Sequence, residues 1–256
     1  MENQNKYILT ERRGQIFIIT VNRPEARNAF SSETSEQMKE AIDIFEEDPN
    51  LFVAIITGAG GTLSAGADLK EAARGARRST SRGGFGIFVK PPRKPIIAAV
   101  EGYAVAGGME LCLACDMIVS ANNARMGLPE VRHNLVAVGG GLFRLPKRMP
   151  YHLVMELALT AEMLPAEVFY KHGVVNRLTE PGKALETAIQ LAEKILENGP
   201  TAQIATKEII RRSFEWTEEE AWTEQKIIAQ PALESEDRKE GLKAFAEKRK
   251  PVWMGR

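Results

Sequence analysis

The chain has 256 residues, of which 44% are hydrophobic and 27% are charged, as is ordinary for a globular protein with one sizeable core. Its 34 basic and 34 acidic residues give a formal net charge of zero, which excludes a global field that draws the protein to nucleic acid or to an anionic membrane. No apolar run reaches the roughly 18 residues of a membrane span, and the polar N-terminus is unlike a secretory signal, so we expect a cytoplasmic location.

The first half of the sequence alternates strand-like and helix-like segments. Strands are predicted at 15–21, 51–58, 95–102 and 117–121 from their β-branched and apolar runs. A helix is predicted between the first two strands, where apolar side chains recur with helical spacing behind Ser and Thr capping residues, at Met38, Ala41, Ile42 and Phe45. A shorter helix is predicted over 109–116. This alternation predicts an α/β fold with parallel strands joined by helical crossovers.

The sequence after about residue 150 is mostly helical. Four amphipathic segments are punctuated by Gly, Pro and Thr, at 181–200, 201–216, 217–230 and 235–250. This pattern predicts a helical appendage that packs on the α/β core or on a neighbouring subunit.

Both cysteines lie in the short motif "CLAC", as Cys112 and Cys115. This spacing invites a redox or metal-binding interpretation. A zinc site needs about four ligands, however, and the sequence has no second cysteine pair and no paired histidines. We therefore expect reduced, buried cysteines on an apolar helix, and no metal site.

Two glycine-rich loops follow predicted strands. The first is "TGAGGTLSAGADLK" at 57–70. It fails three known patterns: the dinucleotide-binding pattern needs glycine in place of Leu63, the P-loop needs lysine in place of Ala67, and the nucleophile elbow needs glycine in place of Thr62. The second is "AGGM" at 106–109. Backbone N–H groups from two adjacent strand ends can converge on one oxygen as an oxyanion hole. Tight turns that need glycine are the alternative explanation.

Two glutamates stand in unusual surroundings. Glu110 is the one charged residue of the apolar stretch "AVAGGMELCLAC", and Glu130 follows a proline in "ARMGLPEVRHN", on a predicted loop after a short strand. A buried carboxylate is costly unless it is hydrogen-bonded, paired or protonated. A strand separates the two residues, so chain reversal can bring them together, and paired glutamates can hold one water as base and acid. Ordinary satisfied or exposed glutamates are the alternative.

The ordered motifs "SAGADLKE", "KPIIAAVEGYAVAGGMELCLACD", "ARMGLPEV", "GGGLFRLP" and "GVVNRL" resemble the crotonase superfamily of acyl-CoA enzymes, especially enoyl-CoA hydratases and carnitinyl-CoA-type dehydratases. The resemblance runs from "VNRPEARNAF" to "FAEKRKPVW" and so covers essentially the whole chain. It implies a ββα spiral core over 1–195, with the coenzyme A site and the catalytic glutamates. It also implies a C-terminal helical region over 196–256 for trimerisation, as a homotrimer or a dimer of trimers.

The resemblance further implies a hydro-lyase that adds water reversibly to a 2-enoyl-CoA thioester, in fatty acid metabolism and β-oxidation. Glu110 then activates the water and Glu130 exchanges the proton at Cα. The N–H groups of Ala67 and Gly107 form the oxyanion hole. Coenzyme A, which is part of the substrate rather than a separate cofactor, contacts Ala26, Arg27, Ser64, Ala65, Asp68, Leu69 and Lys70, and also Lys248 of a neighbouring subunit.

One departure from the family pattern affects the pocket. Many family hydratases have Pro-Gly-x-Gly-Gly after the second glutamate, whereas this chain has "AVGGG" with Ala137 and Val138. The variable segment 74–93 contains Phe85 and Phe88, for which lining of the acyl pocket, exposure to solvent and core packing all stay open.

Other activities fit the same resemblance. A double-bond isomerase and a carnitinyl-CoA-like dehydratase are the alternatives within the superfamily. Retention of both glutamates favours hydration, because isomerases tend to keep only the one at the Glu130 position. Outside catalysis, an inactive scaffold is one alternative. Another is RNA binding by the arginine cluster of 74–82, although neutral charge and a solvated loop argue against it; its members are Arg74, Arg77, Arg78 and Arg82.

Overall fold

The computed structural model describes residues 6–75 and 79–256. Its strands are β1 Ile8–Arg13, β2 Ile16–Val21, β3 Val53–Gly58, β4 Ser79–Thr80, β5 Gly83–Gly84, β6 Ile96–Val100, β7 Tyr103–Val105, β8 Met117–Ala121, β9 Arg125–Gly127, β10 Leu164–Pro165 and β11 Arg177–Thr179. Its helices are α1 Ser32–Glu47, α2 Leu69–Ala72, α3 Gly107–Ala114, α4 Gly141–Arg144, α5 Tyr151–Thr160, α6 Ala166–Lys171, α7 Ala184–Leu196, α8 Pro200–Arg212, α9 Glu218–Leu233 and α10 Glu236–Ala246.

The strands form one large sheet and two small ones. The large sheet has six strands in the order β1-β2-β3-β6-β8-β11, and all of its pairs except β1 with β2 are parallel. A three-stranded sheet has the order β10-β9-β7, and β4 pairs with β5. The predicted parallel pairing is therefore confirmed. The short strand expected before Glu130 is β9, whereas the sequence patterns missed β7, whose three residues are too few to display an alternation.

Successive turns of the chain repeat one pattern. From β6 in the large sheet the chain enters β7 in the small sheet and returns through α3, and from β8 it enters β9 and returns through α4 and α5. This is the ββα spiral that the resemblance implied. It places the ends of β7 and β9, which pair in parallel, side by side at one edge of the core.

The large sheet is covered on both faces because successive side chains of a strand point to opposite sides. On one face, Ile18 and Ile55 pack in a cluster with Ala188 of α7. On the other face, Ile19 and Ile56 belong to the larger core, which includes side chains of α1 and α3. The first of the four predicted C-terminal helices thus packs on the sheet, while the division of the chain between 195 and 196 stays a prediction.

The remaining C-terminal helices differ from the core in their exposure. Within the described residues, α9 buries no side chain, and it leaves Trp222, Ile227 and Leu233 exposed. The prediction ended this helix at residue 230, before Pro231. In the structure Pro231 lies in the last turn of α9, which continues to Leu233. No helix in the part of the chain that the structure describes is long and apolar enough to cross a membrane.

The buried face of α1 allows a matched test of the core. Ile42 is fully buried, whereas Ile44 on the same helix is 46% exposed. We expect Ile42→Ala to lower the free energy of unfolding by about 2–5 kcal/mol, because it leaves a cavity. Ile44→Ala should change it by less than about 1 kcal/mol. Urea unfolding at one protein concentration measures both, and equal losses would contradict the packing of α1.

Candidate active site

The loop between β3 and α2 approaches the N-terminus of α3 at van der Waals distance. Gly66 has a φ of +94°, and a Cβ placed on it would lie 2.9 Å from Cβ of Ala106 and 3.1 Å from the amide nitrogen of Gly107. A Cβ on Gly108 would collide with the carbonyl oxygen of Ser64. Only glycine permits this approach at both positions. The structure therefore brings together the two loops that the sequence presents separately.

Two amide N–H groups at this contact, those of Ala67 and Gly107, are without an acceptor among the described residues. The N–H of Phe30 donates to the carbonyl of Gly66 at 2.8 Å, and the N–H of Asp68 donates to the carbonyl of Phe30 at 2.9 Å. This bridge turns the N–H of Ala67 to the opposite side of the extended chain. Gly107 begins α3, so no preceding helical turn supplies its acceptor. Across residues 6–75 and 79–256, neither N–H donates a hydrogen bond within the chain.

Backbone strain immediately precedes the N–H of Gly107. Ala106 has φ 51° and ψ −126°, a conformation that favours glycine and costs about 1–3 kcal/mol for other residues. Its N–H donates to the carbonyl of Gly127 at 2.9 Å, and its own carbonyl accepts the N–H of Glu110 at 3.1 Å. These two bonds hold the strained turn, which fixes the direction in which α3 presents its first N–H.

Glu110 lies in the first turn of α3 and is only 4% exposed. Its Oε1 accepts the N–H of Gly141 at 3.0 Å, and a Cβ placed on Gly139 would lie 2.5 Å from its Oε2. Burial raises the pKa of Glu110 above its ordinary value, although backbone N–H groups of Gly141 and Gly139 and the charge of Arg144 act in the opposite direction. The isolated carboxylate is thus held by glycine backbone, and no cation of residues 6–75 or 79–256 is bonded to it directly.

Glu130 begins a short 3-10 turn after β9, on the loop where the sequence placed it. Its side chain is half-buried, and its Oε2 is buried with no hydrogen-bond partner in the described part of the chain. Burial, followed by the negative charge of Glu110, raises the pKa of Glu130 to about 7. Buried polar atoms without partners are rare in proteins, and such an atom points to a ligand or to chemistry.

The effect of the Glu110 charge on the pKa of Glu130 means that the two carboxyl groups are near one another. Their environments are unequal, because Glu110 accepts backbone hydrogen bonds and Glu130 accepts none at Oε2. With a pKa of about 7, Glu130 is partly protonated near neutral pH. One base and one acid in the same place can move a proton in each direction.

The residues expected to contact coenzyme A lie on two adjoining loops. The N–H of Ala65 donates to the carbonyl of Arg27 at 2.9 Å, which joins the loop containing Ala26 to the loop before α2. Asp68 caps α2 by accepting the N–H of Lys70, and Leu69 and Lys70 are exposed.

Two members of this expected set stand apart from the rest. Ser64 is fully buried, and its hydroxyl donates to the carbonyl of Asn28 at 2.8 Å and accepts the N–H of Gly66 at 3.1 Å. Its side chain therefore positions the loop from beneath. Lys248 is exposed and follows the end of α10 in the C-terminal region.

Asn28 is a residue that the sequence analysis missed. It is fully buried with a φ of 55°, its Oδ1 accepts the N–H of Arg23 at 2.8 Å, and its Nδ2 donates to the carbonyls of Ala59 and Thr62 at 2.9 Å and 2.6 Å. It thus ties together the loops that carry the expected coenzyme A contacts. The available signal was its place in the turn-like "NRPEARN", since asparagine tolerates the left-handed conformation.

An aromatic stack closes the site from behind. The rings of Phe30 and Phe85 are stacked with centroids 4.0 Å apart, and Phe88 follows at 4.7 Å from Phe85. Phe85 and Phe88 are both buried, and a Cβ on Gly139 would collide with the ring of Phe88. Phe88 therefore lies directly behind the glycine that flanks Glu110.

The other candidate sites have different outcomes. Cys112 and Cys115 are buried and unbridged, as expected, and burial raises the pKa of both thiols, to about 12 for Cys115, which removes their reactivity. The expected arginine cluster is wrong for Arg82, which is 6% exposed because its guanidinium donates to Asp43 and to a backbone carbonyl. Arg77 and Arg78 lie outside the described residues.

Comparisons with known proteins agree with this geometry. The family model for enoyl-CoA hydratase/isomerase matches residues 11–256. The carnitinyl-CoA dehydratase of Salmonella heidelberg is 44% identical over 254 residues, which are 96% of this chain and 97% of that protein. A crystal structure of enoyl-CoA hydratase from Mycobacterium tuberculosis superimposes with a TM-score of 0.95 at 51% identity, over 98% of this chain and all of that one. A probable enoyl-CoA hydratase/isomerase from Mycobacterium abscessus superimposes with a TM-score of 0.94 at 52% identity, covering 98% of this chain and 99% of the other.

The raised pKa of Glu130 predicts an effect on stability. An acid whose pKa is higher in the folded than in the unfolded state binds more protons when folded, so its ionisation destabilises the fold as pH rises through about 7. We expect Glu130→Gln to have a higher Tm than the wild type at pH 8 and a smaller difference at pH 5. Thermal unfolding at both pH values measures this. An equal difference at the two values would show that Glu130 is not a destabilised carboxylate.

Proposed function

The chain belongs to the enoyl-CoA hydratase/isomerase family within the crotonase superfamily, and we propose that it is an enoyl-CoA hydratase, which adds water reversibly across the 2,3 double bond of a 2-enoyl-CoA thioester. The family relationship supports a hydro-lyase acting on CoA thioesters. The observation that carries the finer proposal is the pair of Glu110 and Glu130: Glu110 is hydrogen-bonded, and the buried Oε2 of Glu130 has no hydrogen-bond partner among the described residues.

The unequal pKa values of the pair give each glutamate a role. Glu110, as the ionised member, accepts a proton from water while the water oxygen bonds to C3 of the substrate. Glu130, as the protonated member, donates its proton to C2. One proton leaves the pair and one enters it, so the reaction is balanced and the same pair performs the reverse dehydration.

Negative charge develops on the thioester oxygen as water adds to C3. The N–H groups of Ala67 and Gly107, which have no acceptor among the described residues, are the donors for that oxygen. Donors that are already in position stabilise such charge by roughly 3–4 kcal/mol each, because the protein does not reorganise during the reaction.

The coenzyme A moiety binds along the two loops that Asn28 ties together. Its contacts come from the backbone and exposed side chains of this surface, and Lys70 together with Lys248 of a neighbouring subunit pairs with phosphate or adenine. The set comprises Ala26, Arg27, Ala65, Asp68, Leu69 and Lys70, with Ser64 as the buried support of the loop.

A homotrimer or a dimer of trimers is the proposed assembly. Its support is the exposed apolar surface of the C-terminal helices, where Trp222, Ile227 and Phe245 lie in solvent in the single chain. A cytoplasmic location and a place in fatty acid β-oxidation complete the proposal.

A carnitinyl-CoA-like dehydratase is the second candidate, favoured by the 44% identity to the carnitinyl-CoA dehydratase of Salmonella heidelberg. Its chemistry is the same water exchange on a different acyl group. A panel of 2-enoyl-CoA thioesters, 3-enoyl-CoA thioesters and carnitinyl-CoA separates the candidates. Loss of enoyl absorbance on water addition supports the hydratase. Double-bond migration without hydration, or dehydration of carnitinyl-CoA alone, would replace it.

Removing either carboxylate should abolish most of the activity. We expect Glu110→Gln and Glu130→Gln each to lower kcat about 10²–10⁴-fold, because general acid–base catalysis is lost while the shape is kept. Glu101→Gln is the matched control, since the side chain of Glu101 accepts the N–H groups of Gly182 and Ala184 at the start of α7 and bonds to no residue placed in the site. Near-normal hydration rates in both site variants, with circular dichroism unchanged, would remove the assignment.

The proposed protonation state predicts a bell-shaped pH profile of kcat/KM. Above pH of about 7, Glu130 loses the proton that C2 receives, so the rate falls. At lower pH, Glu110 gains a proton and no longer accepts one from water, so the rate falls again. Because the pKa of Glu110 is raised, this acid limb lies above the ordinary pKa of a glutamate. Steady-state rates between pH 4 and pH 9 measure both limbs. A rate that still rises from pH 7 to pH 9 would contradict the role of Glu130.

A further inference from the structure

Arg144 joins two segments that flank Glu110. It is the last residue of α4 and is half-buried. Its Nη1 donates to the carbonyl of Gly139 at 3.1 Å, and its Nη2 donates to the carbonyl of Phe88 at 2.6 Å. Gly140 has a φ of +106°, and a Cβ there would lie 2.5 Å from Nη1 of Arg144. The absence of a side chain at Gly140 thus allows the guanidinium of Arg144 to pack against the loop.

The two bonded carbonyls belong to the walls of the Glu110 site. Gly139 and Gly141, on either side of Gly140, contact the Glu110 carboxylate, Gly141 through a hydrogen bond of 3.0 Å. The ring of Phe88 packs on Gly139 from behind. A planar guanidinium with fixed donors holds these segments in one geometry, which the single ammonium of a lysine does less well.

The charge of Arg144 also acts on Glu110 and lowers its pKa against the effect of burial. The titratable groups that face Arg144 are Glu110, Cys115, Arg148 and Arg211, and Glu130 also faces Glu110. Cys115 is neutral at physiological pH because burial raises its pKa to about 12. Arg144 is therefore the cation whose charge acts most directly on the Glu110 carboxylate in this part of the site.

We propose that Arg144 is a positioning residue for catalysis, which clamps the Gly139 and Phe88 segments so that Glu110 stays oriented and ionised at neutral pH. It acts through the backbone that binds Glu110 and through its charge. Its kinetic consequences rest on the proposed hydratase function, whereas its effect on the protonation of Glu110 does not.

The test compares Arg144→Met, Arg144→Lys and the wild type. In Arg144→Met, we expect the pKa of Glu110 to rise by roughly half to one unit because a nearby positive charge is lost. The acid limb of the kcat/KM profile should move to higher pH with it, and kcat should fall about 10–100-fold because the carboxylate is misplaced. Arg144→Lys keeps the charge, so its acid limb should match the wild type, while kcat stays lowered because one ammonium does not hold both carbonyls.

Arg148→Met is the matched control, because Arg148 lies one turn further along and donates to the carbonyl of Leu113 at the end of α3 instead. We expect its pH profile and kcat to match the wild type. 13C NMR of protein labelled at the glutamate carboxyl carbons measures the pKa of Glu110 without any substrate, and the Glu110→Gln variant identifies the signal.

An unchanged pKa of Glu110 in Arg144→Met, or the same shift in Arg148→Met, would overturn the proposal. If Arg144→Met does not fold, Arg144→Lys decides, because wild-type kcat in that variant would overturn the clamp. A wild type that hydrates none of the thioesters would remove the proposed function, while the NMR titration would still decide the role of Arg144.

Discussion

The free-energy cost of burying the Glu110 carboxylate is the constraint on which the rest of this site depends. A desolvated carboxylate needs donors, and the chain supplies them from backbone, through Gly141 and the close approach of Gly139. Backbone donors require that the loop touches the carboxylate, and a side chain at Gly139 would prevent this contact. The glycine run after Glu130 is therefore a consequence of placing an acid in the apolar helix α3.

The same requirement of close approach explains the contact between the loop before α2 and the start of α3, where the oxyanion hole is proposed. Gly66 and Gly108 carry no side chain because two loops meet where a Cβ would collide, and Ala106 accepts an unfavourable conformation so that α3 starts at the right place. The strained conformation of Ala106 is locally destabilising, and it sets the direction of the N–H group of Gly107. The covered sheet and the buried face of α1 compensate for this, since their apolar packing is independent of the site.

Much of this arrangement was predictable from the sequence, because local patterns carried it. Hydrophobic periodicity located α1 and the buried strands, and the lone acid of an apolar run identified Glu110. The turn-like surroundings of Asn28 indicated its backbone conformation but not its partners. The role of Arg144 and the burial of Arg82 were not predictable, because their partners lie far away in the sequence and polar side chains carry no periodic signal. The position of α7 on the sheet was equally hidden, since an amphipathic helix does not reveal which surface covers it.

The difference between the two carboxyl groups follows from their neighbours rather than from their chemistry. Glu110 has backbone donors and the charge of Arg144 beside it, whereas the Oε2 of Glu130 has no protein partner in the described chain. The negative charge of Glu110 raises the pKa of Glu130 further, to about 7, so Glu130 keeps its proton to a higher pH than an ordinary glutamate. Addition of water consumes no net proton, so an enzyme that starts with one proton on such a pair also finishes with one. In the proposed hydration the proton finishes on Glu110 and Glu130 finishes ionised, so a proton must move from Glu110 to Glu130, directly or through water, before the next addition.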